Sequence, residues 1–180
     1  MKKVSFLGNA FTYSLIISIF SIILALVYYV FAIELFSYGF IATNILLSLI
    51  IVIGAMLFGL KNYREKALGG VISYGKAFLQ AFAIGVFGYI VIALFNYTLH
   101  AWIAPEYAAS QLDGFIGFME GFGANIPDEA FDEAISDFEK KMTPMGQLIE
   151  GFKNGAIMSL IIGLIVAASI KKDTTQAEIS

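Results

Sequence analysis

The sequence predicts an all-α integral membrane protein: a four-helix bundle with an additional amphipathic helical segment in the long loop before the last span. Three observations carry that prediction. Val4–Ile33, Leu35–Leu60, Ala77–Pro105 and Asn154–Ile170 contain no Asp, Glu, Lys or Arg, and about 20 apolar residues carry a helix across a hydrocarbon core about 30 Å thick. The chain of 180 residues is 59% apolar and 14% charged, with a mean hydropathy of +0.82. A soluble domain of that size encloses too little volume for so much apolar side chain, so the excess must face lipid. The charges, finally, are segregated along the chain. Of the 11 Lys and Arg residues, all but Lys140, Lys141 and Lys153 fall at Lys2–Lys3, at Lys61, Arg64, Lys66 and Lys76, and at Lys171–Lys172.

With four spans those three basic places share one side, and the positive-inside rule makes that side cytoplasmic. Both termini are then expected inside, with residues 103–143 outside. That outer segment carries Glu106, Asp113, Glu120, Asp128, Glu129, Asp132, Glu133, Asp137 and Glu139 against only Lys140 and Lys141. A cleaved signal peptide is the rival reading of Lys2–Lys3 and the first run. Signal h-regions span roughly 7–15 residues, and this run is about twice that.

A single membrane domain, 1–180, follows, with spans at about 9–33, 37–60, 76–102 and 144–172. The first two are joined by so short a connection that they form an antiparallel hairpin. Gly69–Gly70 marks a turn in the basic elbow before the third span. Trp102 and Tyr107 flank the outer end of that span at the level where amphipathic rings settle, and Pro105 stops it. In the outer loop, Glu106–Gly123 is rich in Gly and Phe, and as a helix it places Phe115, Phe118 and Phe122 on one face. Pro127 sits where the first turn of a further helix starts. From there Phe131, Ile135, Phe138 and Met142 recur at 4-3-4 spacing opposite a carboxylate face, an amphipathic helix of about four turns. Thr143-Pro144 supplies an N-cap and first-turn pair for the last helix. Lys153, near its outer end, is placed to snorkel to water.

The elbow sequence Leu68-Gly-Gly-Val-Ile-Ser-Tyr-Gly-Lys-Ala-Phe78 resembles a motif of the bacterial family called domain of unknown function 4199. The last helix, Ile161–Lys172, ending in a Lys-Lys pair, is similar to that family as well. The span order and the acidic loop also agree, so the resemblance covers nearly the whole chain. The Gly/Phe-rich stretch Gly114–Gly123 departs from the more charged loop of the family. The resemblance implies a bacterial inner-membrane protein and implies no activity.

Three surfaces stand out as candidates for function. Gly151, Gly155, Ser159, Gly163 and Ala167 recur every four residues on the last helix, a spacing that lets two helices approach closely in lipid. Their partner is either the third helix, where Ala77, Ala81 and Gly85 share the period, or a second membrane protein or copy. Lys61, Arg64, Lys66 and Lys76 are candidates for anionic-lipid contact, at about 1 kcal/mol per cation near a charged surface, or they only set topology. Phe115, Phe118, Phe131, Ile135 and Phe138 are candidates for contact with the membrane surface or an outer partner, the Phe face of 114–123 resting on the leaflet with the acidic helix packed over it.

No catalytic, cofactor or metal site is expected. The chain has no cysteine, which excludes disulfides, thiolate nucleophiles and Cys-based metal centres. The Gly-Gly pair of the elbow lacks the spacing of a phosphate loop, and Asp128/Asp132 and Glu129/Glu133 lack the order of a calcium loop. His100, the one histidine, has no cluster beside it. Nothing in the pattern points to nucleic acid. The expected function is therefore a non-catalytic scaffold or accessory subunit that binds a membrane partner or lipid. The alternative is an oligomeric channel or transporter component, its polar lining drawn from Ser14, Ser18, Ser21, Asn44, Asn96 and His100. The span centres carry neither a charge nor a proline, which argues against ion-coupled transport by one copy.

Overall fold

In the computed structural model, residues 4–121 and 126–171 are described, and they are almost wholly helical. In chain order the helices are α1 (Phe6–Val30), α2 (Tyr38–Ala67), α3 (Tyr74–Thr98), α4 (Tyr107–Glu120), α5 (Asp128–Met142) and α6 (Pro144–Ile170). A π-helical turn, Leu99–Ile103, prolongs α3. α1, α2, α3 with its π turn, and α6 are each long and apolar enough to cross a membrane. The protein is thus a membrane four-helix bundle with two further helices in the loop between α3 and α6. Lys2, Lys3, Phe122, Gly123 and Lys172 lie outside the described residues.

Local chemistry sets the helix ends. The Ser5 hydroxyl accepts from Gly8 N at 3.1 Å and Ser37 from Phe40 N at 3.3 Å, each satisfying an amide that a helix start leaves unpaired. Thr143 does the same for Gly146 N at 3.0 Å, with Pro144 in the first turn. α1 ends at Val30, and Ala32, at φ of 46°, turns the chain toward α2. The elbow turns through Gly69 and Gly70 at φ of 69° and 94°, where a side chain is strained and glycine is not.

One length differs from expectation. α2 does not stop at Leu60 but runs on through Lys61-Asn-Tyr-Arg-Glu-Lys to Ala67. Arg, Glu, Lys and Ala are strong helix formers, so nothing in those residues ends a helix that is already nucleated. Its 30 residues span about 45 Å, more than the hydrocarbon core requires. Lys61, Arg64 and Lys66 therefore project on a helix, and Lys76 sits in the first turn of α3. They are not gathered on one short loop.

α3 is the central helix: its most extensive contact is with α6, then with α1, and it also touches α2. The core is built of small and medium side chains, with Ala10, Ala55, Ala77, Ala81, Ala93 and Ala167 beside Ile17, Met56, Leu60, Ile84, Ile162 and Val166. In lipid there is no hydrophobic drive between helices, so close contact and polar pairing hold them. Burial is uneven along the bundle. α1 buries Asn9, Ala10, Ser14, Ile17 and Ser18, none past its midpoint, and α2 buries Val52, Ala55, Met56, Gly59 and Leu60, all from about its midpoint on. From Ile19 to Ile51 no residue is buried.

Candidate functional site

The glycine stripe of α6 is occupied from within the chain. A Cβ built on Gly155 would collide with Tyr89 Cβ and lie 2.7 Å from Tyr89 Cγ, and one on Gly151 would lie 2.7 Å from Ala93 Cβ. Opposite Ser159 stands Gly85, where a Cβ would strike the serine hydroxyl. Ser159 is fully buried and its hydroxyl donates to Gly155 O at 2.6 Å. Gly163 and Ala167 are buried too. This face meets α3, the first of the two partners considered for it.

The basic set is divided by geometry. The Arg64 guanidinium is turned inward: Nη1 donates to Ile170 O at 3.1 Å, and Nε and Nη2 reach Glu65 Oε1 at 2.9 and 2.8 Å. Ile170 O is one of the carbonyls a helix C-terminus leaves without a partner, and a cation there also meets the negative end of the helix dipole. Arg64 closes α6 and is withdrawn from the candidate lipid contacts. Lys61, Lys66 and Lys76 remain exposed.

Beside Arg64, buried amides tie the terminal end together. Asn9 Nδ2 donates to Gly59 O at 2.9 Å, and Asn62 Nδ2 donates to Asn9 Oδ1 at 2.7 Å. Gln80, fully buried, donates to Phe6 O at 3.3 Å. Its Oε1 has no partner among the described residues.

The polar groups named as a channel lining do not converge. Ser14 donates to Phe11 O, and Ser18 to Ser14 O and, across the helices, to Gly88 O at 3.2 Å. Tyr28 OH donates to Asn44 Oδ1 at 2.9 Å, and His100 Nδ1 lies 2.9 Å from Asn96 O. These are local or pairwise bonds in packed helices, not a shared wet passage.

At the loop end the aromatic residues form a cluster of their own. Phe115 and Phe138 stack with centroids 4.2 Å apart and planes 9° from parallel, and Phe36 meets both edge-on at 5.7 and 5.5 Å. Phe118 lies 5.3 Å from Tyr38. Phe115, Phe118 and Phe138 thus join α4 and α5 to the α1–α2 connection, whereas they were expected to face a leaflet or an outer partner. Phe131 and Ile135 are half-buried, and the acidic face of α5 is exposed. No group of three or more metal-ligating side chains occurs among the described residues.

Next to this cluster a pocket of about 270 Å³ opens between the α1–α2 connection and α4. Of the residues lining it, Tyr29 OH donates to Glu106 Oε1 at 2.9 Å, and Tyr29 and Tyr107 meet edge-on at 5.3 Å. Burial, and then the nearby Tyr28, push the Tyr107 phenol above its ordinary range, so it stays neutral at neutral pH. Gln111 is the one buried residue of α4. Sequence reasoning did not find this pocket. The available signal was the Tyr28-Tyr29 pair ending α1 and the Glu106-Tyr107 pair after Pro105, both at the level favoured by interfacial aromatics.

Residues 12–172 match the model of the family described as Protein of unknown function (DUF4199). The chain belongs to that family. Comparison with curated proteins and with solved structures finds no match.

Proposed function

We propose that this DUF4199 member is a non-catalytic membrane scaffold or accessory subunit that holds a lipid or a membrane partner at its loop end. One observation carries the reading: packing and buried hydrogen bonds close the bundle near the termini, while residues 19–51 bury nothing and lead up to an open pocket. A surface left unclosed in that way is where a ligand or partner gains contact that the chain does not already make. The charge pattern supports a bacterial inner-membrane setting with both termini in the cytoplasm. Lys61, Lys66 and Lys76 would then face the anionic inner leaflet.

Purification of the full chain in mild detergent, with mass spectrometry of retained lipids and proteins, tests this. The expected result is a reproducible companion that is lost when the loop end is altered by Tyr29→Ala and kept in Lys61→Gln. A chain that carries no companion, or one that keeps it in Tyr29→Ala while remaining folded, overturns the reading.

A further inference from the structure

The loop-end pocket has the chemistry of a cation receptor, and we propose that it binds an alkylammonium group, as carried by an aminated lipid headgroup or a free small amine. This rests on the reading of the loop end as the binding end and names its ligand. No Lys, Arg or His lines the pocket, so an anion would find no countercharge. Its walls supply the rings of Tyr29, Phe36 and Tyr107 and the carboxylates of Glu34 and Glu106. Ring faces and carboxylates together are what a quaternary or primary ammonium prefers. Glu106 receives the Tyr29 hydroxyl on Oε1 only, and its second oxygen has no partner among the described residues.

Gln111 also lines the pocket, with 8% of its surface exposed. A Gln side chain offers a carbonyl oxygen that an N–H of an ammonium group can fill. The connection that frames the pocket also holds Ala32 in the left-handed region, at φ 46°, which fixes the chain path behind Tyr29.

Two arms separate the lipid from the free amine. In the first, the full chain is released from nanodiscs containing equal phosphatidylethanolamine and phosphatidylglycerol, and bound lipid is counted by native mass spectrometry. In the second, melting in detergent is followed with ethanolamine hydrochloride against sodium chloride at equal ionic strength. A preference of about fivefold or more for phosphatidylethanolamine, lost in Glu106→Gln, supports the lipid source. A higher melting temperature with ethanolamine alone, likewise lost in Glu106→Gln, supports the free amine. Glutamine at 106 keeps an acceptor oxygen for the Tyr29 hydroxyl, so the fold is expected to survive. Gln111→Leu, which removes only the amide, serves if it does not. No preference in either arm, or a preference unchanged in the folded variant, overturns the proposal. A companion identified by the purification above, without ammonium selectivity here, would leave the scaffold reading standing and remove this one.

Discussion

The two ends of this bundle are held by different means. From mid-bundle toward the termini, α1, α2, α3 and α6 approach through Gly59, Gly85, Gly155 and a set of alanines, with amides and Arg64 pairing across the helices. Toward the loops, α1 and α2 bury nothing, and contact is made by rings: Phe36 with Phe115 and Phe138, and Tyr29 with Tyr107. Small residues fix backbones at one distance, because any added atom collides. Rings bridge wider gaps and leave space between them. One end is therefore a rigid frame and the other a surface that can admit a guest.

The largest expected effect comes from breaking the frame. Gly155→Leu drives a branched side chain into the base of the Tyr89 ring, which cannot move without α3. Overpacking of that kind costs about 1–3 kcal/mol, and here it separates the two helices with the most extensive contact. The expected outcome is loss of a monodisperse species on size exclusion in mild detergent. A variant that elutes and melts like the parent would mean that the stripe does not set the α3–α6 distance.

A smaller and more local effect is expected at the loop end. Phe138→Ala removes one ring of the 4.2 Å stack with Phe115 and one edge contact to Phe36. An aromatic pair contributes about 0.5–1.5 kcal/mol beyond its area. α5 has no buried residue, so its hold on α4 rests heavily on that cluster. Hydrogen exchange should quicken across Asp128–Met142 while the exchange of α3 and α6 is unchanged. Equal acceleration in all helices would show that frame and loop end melt as one unit, and the contrast between them would fail.

The elements that position both ends were readable from the sequence to different degrees. The spans follow from charge-free runs long enough for a bilayer, and the start of α6 follows from Thr143-Pro144, because both signals are local. The stripe from Gly151 to Ala167 was legible as a close-packing face, since a four-residue period is a property of one helix. Which surface fills it was left open, because that depends on another segment. The same limit hid the most specific contacts. Arg64 meets Ile170 O across 106 residues and Tyr29 meets Glu106 across 77, and no spacing rule connects residues so far apart. The extension of α2 to Ala67 was missed for a different reason: a cluster of charges marks a membrane boundary, but charge alone does not end a helix.

The smallest expected effect sharpens the comparison most. Gly163 belongs to the same four-residue series as Gly155 and is as buried in sequence terms, so periodicity ranks the two alike. The structure does not. A Cβ on Gly163 would stand 3.5 Å from Phe82 N and 3.7 Å from Ala81 Cβ, ordinary contact distances, whereas one on Gly155 would lie within 2.7 Å of Tyr89 Cγ. Gly163→Ala should therefore change the melting temperature little, about 0.5 kcal/mol or less in either direction, with the added methyl filling space and the helix gaining from the loss of a glycine. Gly155→Ala at the matched position should be clearly destabilising. If the two alanine variants melt alike, spacing alone governs the face, and the rigid frame is set by the average width of the stripe. If they differ as stated, the α3–α6 distance is set around mid-bundle, at Gly85, Gly151 and Gly155, rather than at Gly163 nearer the termini.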